Sequence, residues 1–521
     1  MSNGAGTVSE GADGGSRFTS GTAIVAYLAA AIFLLHLVFS RRYGYFVDEL
    51  YYLACSEHLD WGYVDQPPMI AAVTWLERKL FGDSLTAIRF FPAVASCVLV
   101  WLTGAITRRL GGKRFAQALA ALCVVVAPVY LTLSHLLTMN AFEPLLWMGS
   151  AYVVIRIVQT GNQKLWLWFG VLAGVGLQNK HSMLFFGFGV VAGLLLTAQR
   201  RAFRQRWIWL GGLIALAMFL PNLIWQVQHG FPTIELLNNV RASGRNAALN
   251  SVEFLAQQAL LMQPLTLPIW LAGLWSYLRS GDGKPYRVLG WTHVTILACM
   301  LILGGRVYYL APAYPMLFAA GAIALQGFGE RRKWAWLKPV YVSALAVTGV
   351  VLAPMVLPVL PVETYIRYTQ IIGFQPPPIE THRLGPLHQL YADQFGWEEM
   401  AAATARAYYA LPPEVRAKTA IFANNYGQAG AIDFFGPKYG LPKAIATHQN
   451  YFYWGPRSFT GESVLILGDT KEGAARVCKE VEEVGVVYHP YSMPYEHFKI
   501  LHCRGLMAPV EELWPKLKNW R

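Results

Sequence analysis

The chain has 521 residues, of which 55% are hydrophobic and 14% charged, and 43 Lys+Arg against 30 Asp+Glu leave a net charge of +13. Apolar runs this dense, broken by short polar loops, exclude an ordinary soluble protein. Residues 361–521 hold 16 Lys+Arg and 16 Asp+Glu, so the whole excess sits in residues 1–360, where it answers to membrane topology and anionic lipid and not to nucleic acid.

Residues 1–21, rich in Gly and Ser, read as a disordered cytoplasmic tail. Eleven apolar segments follow, near 22–40, 88–107, 115–133, 142–158, 165–177, 183–198, 207–225, 258–278, 289–303, 310–328 and 341–360. Crossing the hydrocarbon core takes about 20 mostly apolar residues as helix, so the shorter segments predict tilted or broken helices. The first segment lacks a small-residue cleavage site and reads as an uncleaved anchor.

Loop charge sets the topology. Arg108, Arg109, Lys113 and Arg114 follow the second segment, and Arg156 and Lys164 flank the loop after the fourth. Arg200, Arg201, Arg204 and Arg206 follow the sixth, Arg279, Lys284 and Arg287 the eighth, and Arg331, Arg332, Lys333 and Lys338 the tenth. These loops share one side, which the positive-inside rule makes cytoplasmic. Arg41 and Arg42, after the first segment, dissent and are outnumbered. The expectation is a multi-pass protein of the bacterial cytoplasmic membrane, N-terminus inside, with residues 22–360 in the membrane and an extracytoplasmic domain at 361–521.

The first outer loop, about residues 41–89, carries the sharpest pattern. Asp48 and Glu49 fall just past the first apolar segment, and Leu50, Leu53, Ala54 and Leu59 then recur at helical spacing beside Tyr51, Tyr52 and Trp61. This predicts a helix lying in the membrane interface. Pro67 and Pro68 stop it and fix Asp65 in a rigid turn, and residues 69–80 predict a second interfacial helix. Carboxylates held beside an apolar bundle suit chemistry, while solvated loop acids and an N-cap give the same composition.

Beyond residue 361 no segment is apolar enough to span. Gln-Pro-Pro-Pro at 375–378 reads as a stiff linker. Residues 419–422 and 463–467 read as buried strands, and 398–410 and 474–484 as helices, of an α/β domain. Cys97, Cys123 and Cys299 lie in apolar segments as packing residues, and Cys55 lies in the first loop. Cys478 and Cys503 form either a disulfide or two free thiols.

Tyr-Phe-Val-Asp-Glu-Leu-Tyr-Tyr at 45–52, followed by Trp-Gly-Tyr-Val-Asp-Gln-Pro-Pro at 61–68, resembles the integral-membrane GT-C glycosyltransferases. The nearest group is the bacterial family similar to protein O-mannosyltransferases and the lipid A aminoarabinose transferase. The stretch around Asn140 and Glu143 resembles that family's second acidic motif, though an acid is common there where this chain has Asn140. Gly-Leu-Gln-Asn-Lys-His at 176–181 resembles its Gly-Leu-x-x-Lys turn, and Gly-Arg-Val-Tyr-Tyr-Leu-Ala-Pro-Ala-Tyr-Pro at 305–315 its basic-x-x-Tyr-x-x-Pro segment, with Arg306 where Lys is more frequent. Residues 425–436 and 453–456 are similar to the outer domain of bacterial members.

The resemblance implies a mainly α GT-C bundle of about eleven transmembrane helices, interfacial helices in the first loop and a C-terminal α/β domain. It implies sugar transfer from a polyprenyl-phosphate donor to a glycan, lipid or protein acceptor, usually with inversion. A carboxylate takes the acceptor proton, which assigns Asp48 as base and Glu49 to positioning it or binding acceptor. Asp65 is assigned to orienting substrate or binding a divalent cation, with Asp48 and His135 as the other candidate ligands. Glu143, Lys180, Arg306 and Tyr309 are assigned to the substrate, the two cations to its phosphate. Lys180 interrupts apolar sequence, where a charge is costly unless used or paired; snorkelling to headgroups is the plain alternative for both cations, and a helix-dipole partner for Glu143. His135 at the third segment's outer end reads as a hydrogen-bonded surface residue. Residues 226–250, with Arg241 and Arg245, read as a flap over the site, and Asn425, Tyr426 and Asp433 as acceptor contacts or turn packing. The rival expectation is a transporter or flippase for a lipid-linked glycan, which calls for ionisable residues near the midplane, often in repeated halves.

Overall fold

The structure is a computed structural model that describes residues 17–244, 249–374, 376 and 380–520. All eleven apolar segments are helical. Among the described residues six helices are long and apolar enough to cross a membrane, including α1 (Gly21–Phe39), Met139–Thr160 and Arg206–Gln228. Four further helix pairs among the described residues pass the same test only together and are bent at a break, from 59° to 108°, as a broken span or a re-entrant loop is. Three of the four fall on apolar runs of about full length, while the short runs at 142–158, 165–177 and 289–303 form unbroken helices. The segment at 165–177 forms the helix Trp166–Asn179. Its 14 residues extend about 21 Å, less than the hydrocarbon core.

Helices without a hydrophobic drive between them associate where small residues let backbones approach. Trp166–Asn179 meets Arg206–Gln228 in this way: a Cβ on Gly170 would lie 2.2 Å from the Gly211 carbonyl oxygen. The basic loops gather at one end of the bundle. Gln159 there donates to the Arg109 carbonyl at 2.6 Å and the Tyr286 hydroxyl at 3.0 Å, and Lys113 lies 3.5 Å from Glu330. The first loop and the C-terminal part pack at the other end.

Residues 1–16 of the expected tail lie outside the described residues. Arg17–Thr19 form a 3₁₀ turn, and the Ser20 hydroxyl caps α1 by accepting from the Ala23 N–H at 3.2 Å. In the first loop the expected helices form as α2 (Val47–Glu57) and α3 (Met69–Phe81). Only α3 presents an apolar face outward, with Trp75, Leu76, Leu80 and Phe81 exposed. α2 does not lie on a surface: every residue from Leu50 to Ser56 is buried, because the C-terminal part covers it.

The C-terminal part is built on a five-stranded sheet of β1 (Thr419–Ala423), β2 (Ile445–Ala446), β3 (Ser463–Leu467), β4 (Cys478–Val487) and β5 (Phe498–Leu506), in the order β2-β1-β3-β5-β4. β1 runs parallel to β2 and β3, while β5 is antiparallel to β3 and β4. β1 and β3 fall on the two segments expected as strands, and Trp397–Ala410 on an expected helix. The expected helix at 474–484 is a correction. Only Lys471–Ala474 is helical, and 478–487 is an edge strand. Val481 and Val484 sit at a helix-like interval, but pairing with β5 and the β-branched content decide for strand. Cys478 and Cys503 form a disulfide joining β4 to β5. Of the expected linker at 375–378, only Pro376 is among the described residues.

One hydrophobic core is shared between the first loop and this sheet: Leu50, Tyr51 and Leu53 of α2 pack with Ala401, Ile421, Ala429 and Leu465. The helix Tyr426–Phe435 lies directly on α2, so closely that a Cβ on Gly430 would sit 2.8 Å from the Leu50 backbone.

Candidate active site

The site begins at the first turn of α2, where two adjacent acids have opposite surroundings. Glu49 points inward and is fully enclosed. The Arg89 guanidinium forks onto it, Nε to Oε1 at 2.8 Å and Nη2 to Oε2 at 2.7 Å. The Leu137 N–H donates to Oε1 at 2.9 Å and the Phe46 N–H to Oε2 at 2.8 Å. Arg89 also donates to the carbonyls of Ser40 (2.7 Å) and Gly44 (2.9 Å). Four donors on one carboxylate leave no reactive lone pair, so of the roles expected for Glu49 this geometry fits positioning and not contact with acceptor. Asp48, one residue earlier, is half-buried and accepts from the Tyr426 hydroxyl at 2.7 Å.

Asp65 sits in the turn that Pro67 and Pro68 close before α3. The Tyr51 hydroxyl donates to its Oδ1 at 3.0 Å. The turn is held from the C-terminal part, where the Asn450 side-chain oxygen accepts from the Val64 N–H at 2.8 Å and the Asn450 N–H donates to the Tyr51 hydroxyl at 3.3 Å. Burial pushes the Asp65 carboxyl up to about 7, and the nearby charge of Asp48 pushes the same way, against the Tyr51 hydrogen bond. Tyr52, buried between them, is within electrostatic reach of Asp48, Asp65 and Tyr308.

Tyr308 leads to the cations. The Lys180 ammonium lies 4.3 Å from the Tyr309 ring centroid and 5.7 Å from that of Tyr308. It donates to Asn140 Oδ1 at 2.7 Å and to Glu143 Oε2 at 3.0 Å, and Ser182 donates to the other Glu143 oxygen. Asn140 is thus a ligand of the ammonium where an acid was the family pattern. Arg306 pairs with the buried Glu380 at 3.3 Å. The first loop, the second acidic motif, the Lys180 turn and the Arg306 segment therefore converge at one end of the bundle.

His135 is placed differently from expectation. It is buried, 3% exposed, with its ring 5.9 Å from that of His36 and no hydrogen-bond partner on either nitrogen. It stands with Arg89 and His36, apart from Asp48 and Asp65, and no group of three or more His, Cys, Asp or Glu among the described residues is arranged to hold a metal. Residues 232–243 of the expected flap form the helix Pro232–Ser243. Gln226 and Thr233 bond each other at 2.8 Å, and Thr233 donates to the Val64 carbonyl at 2.9 Å, so this segment supports the Asp65 turn; Arg245 lies outside the described residues. Asp433 serves packing, accepting from the Ala444 N–H at 2.7 Å and the Tyr451 hydroxyl at 3.0 Å.

Residues unforeseen in the sequence complete the surroundings. Asp393 accepts from the Tyr495 hydroxyl at 3.0 Å, and burial together with the charges of Glu496, Asp48 and Glu380 pushes it up to about 8. Glu496 accepts from Asn425 at 2.9 Å and Gln428 at 2.8 Å. No spacing in the chain marks Arg89, Asp393 or Asn450; Tyr426 is marked only by its motif.

The comparisons with known proteins agree with this architecture. The family described as dolichyl-phosphate-mannose-protein mannosyltransferase matches residues 65–225. Lipid A galacturonosyltransferase RgtD of Rhizobium johnstonii is 28% identical over 250 residues, which cover 46% of this chain and 50% of that protein; the chain spans about half the length of this curated relative. The crystal structure of ArnT from Cupriavidus metallidurans bound to undecaprenyl phosphate superposes with a TM-score of 0.58 at 15% identity, over 92% of this chain and 97% of that one. Its apo form gives 0.59 at the same identity and coverage. The chain is thus a multi-pass membrane protein of the GT-C glycosyltransferase fold, similar to the ArnT-like and mannosyltransferase-like proteins.

Proposed function

We propose that this chain transfers a sugar from a polyprenyl-phosphate donor to an acceptor hydroxyl at the outer face of the bacterial cytoplasmic membrane, with inversion. The observation that carries the reading is the convergence of a half-buried carboxylate, Asp48, with two cations, Lys180 and Arg306, across Tyr52 and Tyr308. Asp48 takes the acceptor proton as the acceptor oxygen bonds to the sugar's anomeric carbon. The bond from that carbon to the phosphate oxygen breaks, and the phosphate leaves on its lipid with added negative charge. Lys180 and Arg306 stabilise that charge; their present carboxylate partners, Glu143 and Glu380, stand where an anion is wanted. Asp65 orients the sugar or acceptor. Asp48 and Asp65 are the carboxylates a divalent cation would meet here, and with His135 elsewhere they do not make a full ligand set.

The basic loops gathered at the far end support a cytoplasmic placement of that end, and the Cys478–Cys503 disulfide supports an oxidising compartment for the C-terminal part. The printed names of the relatives, a lipid A sugar transferase and a protein bound to undecaprenyl phosphate, support the donor class. A glycan, lipid or protein all remain acceptors of suitable chemistry.

The four bent helix pairs among the described residues favour transport of a lipid-linked glycan instead; the gathering of these charged groups at one end favours the enzyme. The deciding experiment supplies radiolabelled mannose and glucose on polyprenyl phosphate to membranes holding the wild type or Asp48→Asn, with cell-envelope acceptor. Transfer lost in the variant at equal expression supports the reading, and equal transfer removes Asp48 as base. Failure with every polyprenyl donor turns the reading to transport.

A further inference from the structure

We propose that Tyr426, brought from the C-terminal part, is a positioning residue for Asp48, so that this part of the chain completes the reaction centre. The inference rests on the reading of Asp48 as the base. The two residues are 378 positions apart, and the Tyr426 hydroxyl donates to Asp48 Oδ1 at 2.7 Å. The phenol is held by two neighbouring rings. Its ring stacks on His448 with centroids 5.0 Å apart at 8°, and packs on Tyr51 at 4.7 Å. The Tyr426 backbone N–H donates to His448 Nδ1 at 3.1 Å.

Both partners stand at the first turns of helices that are packed on one another. Tyr426 follows Asn425, whose side-chain oxygen caps the helix by accepting from the Gln428 N–H at 2.8 Å and whose amide donates to Glu496. A Cβ on Gly427 would lie 2.4 Å from Val47, the residue before Asp48, so the two helix starts touch. The same part of the chain reaches the other loop acid through Asn450, Tyr51 and Asp65.

A hydrogen bond donated to a carboxylate favours its charged form, which is the form that accepts a proton. A phenol stays protonated near neutral pH and keeps donating. Asp48 is within electrostatic reach of Asp65 and Tyr52 of the first loop and of Asp393 of the C-terminal part, and Lys180 and Arg306 act on the neighbouring Tyr308. The Tyr426 hydroxyl supports the charge of Asp48 by direct donation at 2.7 Å.

The test measures kcat and donor KM against pH for the full chain in membranes, as wild type, Tyr426→Phe and Asp48→Asn, with whichever of polyprenyl-phosphate mannose or glucose the wild type turns over. Phenylalanine keeps both ring contacts and removes only the O–H. The expected result is a kcat about 10-fold lower at neutral pH, an acidic limb moved to higher pH, and a donor KM within about twofold of wild type. Incorporation of 3-fluorotyrosine at position 426, a more acidic phenol of similar size, gives a second readout if Tyr426→Phe fails to accumulate: the limb moves to lower pH. An unchanged limb and kcat in either protein overturns the inference, as does a change in KM alone, which would mean that Tyr426 meets the substrate. Asp48→Asn as active as wild type overturns the base reading itself, whatever Tyr426→Phe does.

Discussion

Arg89 and Glu49 form a two-pronged ion pair whose side chains are 1% and 0% exposed. The pair ties four pieces of chain together: the end of α1, the extended segment into α2, the start of the helix Phe90–Arg109 and the turn before Met139. Removing one partner strands the other charge, which costs about 3–5 kcal/mol. Arg89→Ala is therefore expected to lower the thermal unfolding temperature of the purified protein sharply, and Arg89→Lys to fall short of rescue because an ammonium cannot fork onto two oxygens.

Lys180 and Glu143 are similarly enclosed, with side chains 13% and 4% exposed, but here the cation also faces the tyrosines of the Arg306 segment. Lys180→Met is expected to raise the donor KM at least about 10-fold and to destabilise the fold through unpaired Glu143. The double variant Lys180→Met, Glu143→Gln is expected to regain stability and not donor affinity. Recovery of both, by unfolding temperature and transfer assay, would leave Lys180 only a structural role.

Asp65 makes a pH-dependent contribution whose sign is fixed. Its carboxyl rises from an ordinary 3.8 to about 7 in the folded chain, so the folded state keeps a proton that the unfolded state has released. Stability from this group is complete below the ordinary value and is lost as pH rises through about 7, with a ceiling of roughly 4 kcal/mol. Asp65→Asn is expected to flatten stability between these two values and to unfold later than wild type at pH about 8, as followed by unfolding temperature against pH.

The Cys478–Cys503 bridge closes a separation of 25 residues. Loop-closure entropy gives about 3.5 kcal/mol for that length. Cys478→Ser, Cys503→Ser is expected to weaken the C-terminal part by that order, and thiol alkylation of unfolded wild type is expected to reach both cysteines only after reduction, as read by mass.

The proposed topology predicts opposite behaviour at the two ends. A phosphatase reporter that is active only outside the cytoplasm, fused after Arg521, is expected to be active, and one fused at Gly112 inactive. The reverse pattern would turn the bundle over and move the candidate site to the cytoplasmic side.

The chain order of apolar runs and basic loops determined the helical bundle, since burial in lipid and loop charge act on contiguous residues. The same local logic marked Asp48, Asp65, Lys180 and Arg306, each an ionisable residue set against an apolar stretch. It missed what depends on distant partners. Residues 478–487 carry a helix-like interval and became a strand because β5 was there to pair with them. Tyr51 and Tyr52 suited an interfacial helix and became core because the C-terminal part, through the helix Tyr426–Phe435, covers α2. Glu49 and Asp48 are neighbours of like chemistry, and only the packing of Arg89 on one and Tyr426 on the other separated a buried structural anion from a half-buried candidate base. Those contacts span 40 and 378 residues, beyond the reach of any helical or strand period, so tertiary packing alone decided them.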